Sequence, residues 1–184
     1  RQRQMCIRDR ATPQSVEESA VAGRLDLRDK VVITIDGASS KDLDDAVSLE
    51  RDGLGRWVLG VHIADVSHYV RPGSALDLEA WERGTSVYFA DQVVPMLPRE
   101  LSNGICSLNP RVDRLALSCV MTLTPEGEVV DHTIAKSVIR TTERMTYEDC
   151  NALLAHSDPA LAERYARILP MLEDMAALSR VLEG

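Results

Sequence analysis

A chain of 184 residues, 45% of them apolar and with a formal net charge of −8, is long enough for one packed domain or a large part of one, and its composition excludes a disordered polypeptide. No apolar run approaches the roughly 20 residues that cross a bilayer, and no basic, apolar and small-residue leader pattern is present, so neither membrane contact nor secretion is expected. The four cysteines, Cys6, Cys106, Cys119 and Cys150, lie far apart with no Cys-x-x-Cys pair, which argues against a structural zinc site or a disulfide scaffold and for reduced thiols in the cytoplasm.

Arg1 to Arg10 is basic and shows neither alternation nor a helical period. It is expected to be a frayed or foreign terminus within an N-terminal segment, residues 1–22. From Gly23 the text becomes orderly. The β-branched run Val31 to Ile35 predicts a buried strand, followed by a polar turn, Gly37 to Lys41. Ala46–Glu50 and Arg56–Ala64 predict paired strands around Arg51 to Gly55, whose glycines suit a hairpin loop. Ser74 is placed to cap a short helix through Arg83, with Asp77 in its first turn and Gly84 just past its end. A second hairpin, Leu115–Leu123 with Val129–Ile139, is predicted around Pro125 to Glu128.

The last part of the chain reads as helical. Thr146 caps a helix opening near Tyr147, and Asp158-Pro159 starts another. Leu161, Tyr165, Ile168, Leu172, Met175, Leu178 and Leu182 recur at three- and four-residue steps and predict one apolar face, which Pro170 should bend or interrupt. The class is mixed α/β (α+β) with a mostly antiparallel sheet. One Phe and two Trp leave Leu, Val, Ile and Ala to fill the core.

The chemically informative segment is Asp36-Gly-Ala-Ser-Ser-Lys-Asp42-Leu-Asp44-Asp45, four carboxylates in ten residues between two apolar strand candidates. Like charges about 4 Å apart repel by roughly 4 kcal/mol at an effective dielectric of 20, so converging carboxylates need a cation. Oxygen donors select Mg²⁺ or Mn²⁺ over Zn²⁺, and a pair of such ions suits phosphodiester hydrolysis. Composition alone leaves two readings open, a hard-cation site or a solvated acidic turn. No P-loop, dinucleotide fingerprint or Gly-x-Ser-x-Gly elbow competes, and Ala46 and Val47 break an EF-hand spacing.

The neighbourhood of that cluster carries a resemblance. Gly23-Arg-Leu-Asp-Leu-Arg28, Thr34-Ile-Asp-Gly37 and Lys41-Asp-Leu-Asp-Asp-Ala-Val47 resemble the opening signature of the RNB catalytic domain of the ribonuclease II/ribonuclease R family. The likeness continues through Val61-His-Ile-Ala-Asp-Val-Ser67, Arg83-Gly-Thr-Ser-Val-Tyr88, Val94-Pro-Met-Leu-Pro98, Leu101-Ser-Asn-Gly104 and Cys106-Ser-Leu-Asn-Pro110. It spans Gly23 to Gly184 in unbroken order, as part of an RNB domain, and is closer to the ribonuclease R branch.

The resemblance implies a cytoplasmic, sequence-tolerant, processive 3′→5′ exoribonuclease. It would act as a monomer on an RNA substrate, hydrolysing it with Mg²⁺ or Mn²⁺ to nucleoside 5′-monophosphates. Asp36 and Asp45 would hold a catalytic Mg²⁺, and Asp42 and Asp44 would bind a second ion or orient the attacking water, with Asp44 the most committed to chemistry. Tyr88 would stack at the 3′-terminal nucleotide, and Tyr147 would recognise ribose or pack where its helix opens. The resemblance also implies a catalytic arginine and glutamate, and OB-type RNA-binding domains, outside this sequence. That would account for the acidic charge, as would metal ions neutralising the site. The alternative is a non-catalytic or truncated relative that at most binds RNA. Outside the match to metal or substrate, His62 and His68 read as satisfied core histidines, Asp65 as an anchor for the turn beyond its strand, and Arg83, Arg99, Arg111 and Arg114 as solvated or internally paired rather than phosphate ligands.

Overall fold

The computed structural model describes residues 13–90 and 92–184; the expectation for Arg1 to Arg10 lies outside them. A four-residue helix, α1 (Glu18–Val21), leads to the short strand β1 (Leu25–Asp26), then to β2 (Ile33–Asp36), β3 (Asp45–Arg51) and β4 (Trp57–Ala64). The β3–β4 hairpin closes where the sequence predicts, with Arg51 opposite Trp57 and Asp52 accepting from the N–H groups of Leu54 and Arg56. Two helices follow, α2 (Val66–Tyr69) and α3 (Ala75–Arg83), and then the small hairpin β5 (Val87–Tyr88) and β6 (Val93–Val94). Ser74 Oγ accepts from Asp77 N–H and Gly84 closes α3 at φ 73°, as its cap residues foretell. None of α3 is buried.

An irregular helical turn at Glu100–Ile105 precedes the long strands β7 (Asp113–Leu123) and β8 (Val129–Arg140). Strand β9 (Glu143–Thr146) runs directly into α4 (Tyr147–Leu154), which Thr146 Oγ1 caps through Asp149 N–H. The main sheet has seven strands in the order β1-β8-β7-β4-β3-β2-β9. Its centre is antiparallel; both edges are parallel, β1 along β8 and β9 along β2.

Adjacent residues Val32 and Ile33 point into different cores, as alternation in extended chain requires. One core lies under the helices and contains Ile33, Leu49, Trp57, Met145 and Leu172. The other, on the opposite side, contains Val32, Leu43, Ala46, Leu108, Ala116 and Ile139. The continuous apolar face expected from Leu161 to Leu182 is divided. Helix α5 (Pro159–Arg164) ends, the chain turns, and α6 (Leu169–Glu183) begins. Pro170 therefore sits in the first turn of a new helix, where its missing N–H leaves no bond unmade, instead of bending a helix in progress. Leu182 is exposed, while Tyr165, Ile168, Leu172 and Leu178 are buried as expected. Among the described residues no helix is long and apolar enough to cross a membrane.

Candidate active site

Asp36 ends β2 and Asp45 opens β3, so the turn joining these antiparallel neighbours gathers both ends of the acidic run at one rim of the sheet. Leu43 decides where the other two point. Its side chain is buried, its N–H donates to Ser107 Oγ at 3.1 Å, and its carbonyl accepts from Leu108 N–H at 2.8 Å. With Leu43 turned inward, Asp42 and Asp44 on either side face away from the core, Asp42 half-buried and Asp44 open to solvent.

The carboxylates share one electrostatic field. Burial pushes Asp36 above the ordinary carboxylate range, and the charges of Asp45 and Asp42 push it further against the pull of Arg144. Asp44 keeps one side in water, yet the protein packed around it, followed by Asp42, Asp45 and Asp36, raises it as well. Among the described residues no group of three or more His, Cys, Asp or Glu side chains is set closely enough to hold a metal ion by itself. All-oxygen donors in a common field without a closed cage suit Mg²⁺, which keeps several waters and takes one or two carboxylates plus substrate phosphate.

Across from this rim stands Tyr88, 66% exposed on β5, whose hydroxyl donates to Asp42 Oδ2 at 3.3 Å. The negative charge of Asp42, then partial burial and this hydrogen bond, raise the phenol above its usual range. Between them lies a cavity of about 450 Å³ lined by Ser40, Lys41, Asp42, Tyr88, Phe89 and Arg99 among others. Tyr147 belongs to the same rim by register. Asp36 pairs with Thr146 across β2 and β9, and Tyr147 follows at once. It is 57% exposed.

The histidines stay out of the site. His62 is buried between Ser48 Oγ, 3.0 Å from Nε2, and Ser118 Oγ, 2.7 Å from Nδ1. His68 lies edge-on to Tyr69 and 3.5 Å from Arg24. Asp65 anchors the turn after β4 through Ser67 Oγ–H at 2.7 Å and Arg24 at 2.7 Å. Of the four arginines weighed as phosphate ligands, Arg83 pairs with Glu79, Arg111 with Glu143, and buried Arg114 donates to the carbonyls of Ser107, Asp113 and Gly104. Arg99 donates to Val93 O and, alone of the four, lines the cavity beside Asp42.

Sequence reasoning missed Phe89, Lys41 and Arg144. Phe89 is the single Phe of the chain and directly follows Tyr88, a signal that was available. Arg144 carries no local signal, because the backbone it holds is over a hundred residues away. The basic residues of this acidic chain also cluster. Arg28, Lys30, Arg111, Arg140, Arg164 and Arg167 line a second cavity of about 440 Å³ at the Ile33–Glu143 end of the β2/β9 pair, away from Asp36. Asp113, Glu50 and Glu143 already bind four of them.

The fold and the acidic rim it carries find their match in the RNB domain. The model of that family matches residues 24–183, and the chain belongs to it. Ribonucleases R are among its relatives. It is 56% identical over 174 residues to ribonuclease R 1 of Lactococcus lactis, covering 95% of this chain and 21% of that protein. To ribonuclease R of Thermotoga maritima it is 49% identical, over 94% of this chain and 24% of the relative. The chain thus spans about a fifth to a quarter of the length of the curated relatives it matches. The RNase R of Mycoplasma genitalium, solved in complex with ribose methylated single-stranded RNA, superposes with a TM-score of 0.87 at 31% identity, covering 98% of this chain and 28% of that one. Yeast Ssd1, a pseudonuclease, shares the fold with a TM-score of 0.77 at 21% identity, covering 92% of this chain and 20% of its own.

Proposed function

We propose that this chain is the carboxylate-bearing part of a 3′→5′ exoribonuclease that hydrolyses RNA with Mg²⁺ or Mn²⁺ and releases nucleoside 5′-monophosphates. The observation that carries the reading is the convergence of Asp36, Asp42, Asp44 and Asp45 in one electrostatic field beside an exposed tyrosine. That the pseudonuclease Ssd1 shares the fold means that the fold alone does not supply this activity; the carboxylates and what they hold must.

Asp36 and Asp45, at the two strand ends, are the residues that would hold the first divalent ion, with Asp42 and Asp44 serving a second or orienting water. Ions bound there supply an activated water and charge stabilisation at the leaving oxygen of a phosphodiester. Tyr88 offers a ring face on which any terminal base can stack, which suits a sequence-tolerant enzyme. Tyr147, at the Asp36 edge, is positioned for the ribose, whose 2′-hydroxyl separates RNA from DNA. Cytoplasmic residence belongs to the same proposal and is supported by the free thiols of Cys106, Cys119 and Cys150.

The test is an assay of the intact protein carrying this sequence on a 3′-tailed RNA. Release of 5′-mononucleotides from the 3′ end, abolished by EDTA and restored by Mg²⁺, is expected. Undegraded RNA, or hydrolysis indifferent to EDTA, would overturn the reading.

A further inference from the structure

We propose that Arg144 is the positioning residue of the acidic site, and that its guanidinium fixes the turn which brings Asp36 and the Asp42–Asp45 run to one rim, where divalent ions would be held. The inference rests on the metal-dependent reading above and extends it to a residue outside the carboxylate set.

The difficulty that Arg144 meets is geometric. Asp36 is held by β2 and Asp45 by β3, but the turn between them must carry Asp42 and Asp44 to the same rim. Within that turn the backbone provides one hydrogen bond of its own, Ser40 N–H to Gly37 O at 3.0 Å. Carboxylates of like charge drive such a turn open before an ion arrives. An external tie is therefore needed.

Arg144 supplies it. Strand β9 runs parallel to β2 with Arg144 opposite Thr34 and Thr146 opposite Asp36, so Arg144 is rooted on the neighbouring strand two residues below the rim. Its Nη2 lies 3.1 Å from Gly37 O, 2.9 Å from Ala38 O and 2.8 Å from Ser40 O. Three carbonyls of one turn converge on a single cationic nitrogen. Charge-assisted bonds of this kind are shorter and stronger than neutral ones. The guanidinium takes this pose although its buried Nε has no partner among the described residues, so the turn, rather than the arginine's own best bonding, sets its orientation.

A second pin completes the device. Ser107 Oγ donates to Lys41 O at 3.0 Å while accepting from Leu43 N–H. Arg144 holds the Asp36 side of the turn and Ser107 the Asp42 side. The carbonyls are thereby turned toward Arg144, leaving the rim to the carboxylates. Groups that orient metal ligands without touching the metal typically change ion affinity by about 10–100-fold when removed.

The experiment compares Arg144→Met, which removes the donors but keeps the aliphatic stem, with Arg144→Lys, which keeps one cationic donor. Both are made in the intact protein. Mn²⁺ binding is measured by electron paramagnetic resonance without RNA, alongside the Mg²⁺ dependence of hydrolysis. Arg144→Met should weaken Mn²⁺ binding and raise the Mg²⁺ half-saturation by about 10-fold or more, with KM for RNA at saturating Mg²⁺ near wild type. Arg144→Lys should recover most of that loss. Amide exchange at residues 38–42 should accelerate in the Met variant alone. If Arg144→Met does not fold, Arg144→Gln takes its place with the same readings. Unchanged Mn²⁺ affinity in a folded variant, against a wild type that binds the ion, overturns the role of Arg144 and leaves the proposed function standing. A wild type that takes up no Mn²⁺ overturns both.

Discussion

The hydroxyl of Tyr88 lies 3.3 Å from Asp42 Oδ2, joining the β5–β6 hairpin to the acidic turn 46 residues earlier. The hydrogen bond orients the phenol, while the exposed ring face remains open toward the cavity. These two contributions separate by substitution. Tyr88→Phe keeps the ring and should bind single-stranded RNA within about 3-fold of wild type, whereas Tyr88→Ala should lose roughly 5- to 160-fold, the equivalent of about 1–3 kcal/mol of stacking. Equilibrium binding of a short RNA by the intact protein decides it; equal losses for both variants would assign the effect to the hydroxyl.

Asp44 joins the proposed chemistry to stability. Its carboxyl is raised above the ordinary range by surrounding protein and by Asp42, Asp45 and Asp36. A raised carboxylate makes the folded chain more stable as pH falls and less stable when it ionises. On its proposed role Asp44→Asn should abolish RNA hydrolysis and leave RNA affinity nearly intact, and relief of the raised carboxylate should increase the melting temperature of the ion-free protein by about 2–4 °C for each kcal/mol relieved. Turnover within a few-fold of wild type, or a lower melting temperature without ions, would count against this assignment.

His62 gives a pH dependence of opposite sign. His62 sits in a buried chain of side-chain hydrogen bonds that links Ser48, His62, Ser118 and Ser137, so both ring nitrogens are partnered in the neutral form. Burial pushes its imidazole down from 6.5 to about 4. The unfolded chain thus takes up a proton below about pH 6.5 that the folded chain refuses until about pH 4. Stability from neutral His62 is complete above that window and is lost as pH falls through it, by up to about 3 kcal/mol. Urea unfolding at pH 7 and pH 5 should show this loss in wild type and a smaller one in His62→Gln. Identical pH dependence in the two proteins would refute it.

Much of this architecture was legible because its determinants are local. Ser74, Thr146 and Asp158 each cap the helix they precede, and the glycines and Asp52 between β3 and β4 close that hairpin where expected. The four aspartates were visible as a run. The parallel edges were not, since β9 is only four residues long and pairs with a strand over a hundred residues earlier. For the same reason Arg144 gave no signal: its partners are brought to it by the β2/β9 pairing, not by spacing. An interruption was expected at Pro170, but it falls before that residue, at Tyr165–Ile168, where an apolar period persists across the turn and both end residues are buried.

Arg24 and Asp65 form an ion pair at 2.7 Å with side chains only 7% and 4% exposed. Burial alone would raise Asp65, but the Ser67 hydroxyl and the Arg24 guanidinium outweigh it and hold the carboxyl below its usual range. Arg24 is held in turn by Ala20 O at 2.9 Å, Ser137 O at 3.3 Å and Ala116 O at 3.4 Å, so it ties the segment before β1 to β7 and β8. Removing the arginine leaves a buried carboxylate without its cation and takes one donor from each of three carbonyls. Breaking one side of such a pair costs about 3–5 kcal/mol, more than the pair itself contributes, because the remaining charge has lost its partner. Arg24→Met should therefore lower the melting temperature by roughly 10 °C in a domain of this size. The double variant Arg24→Met/Asp65→Asn should regain part of that loss, since an amide tolerates burial better than an unpaired charge. Thermal unfolding of the three proteins at pH 7 tests this; a single variant within about 1 kcal/mol of wild type, or a double variant no better than the single, would show that the pair is not what secures this corner of the sheet.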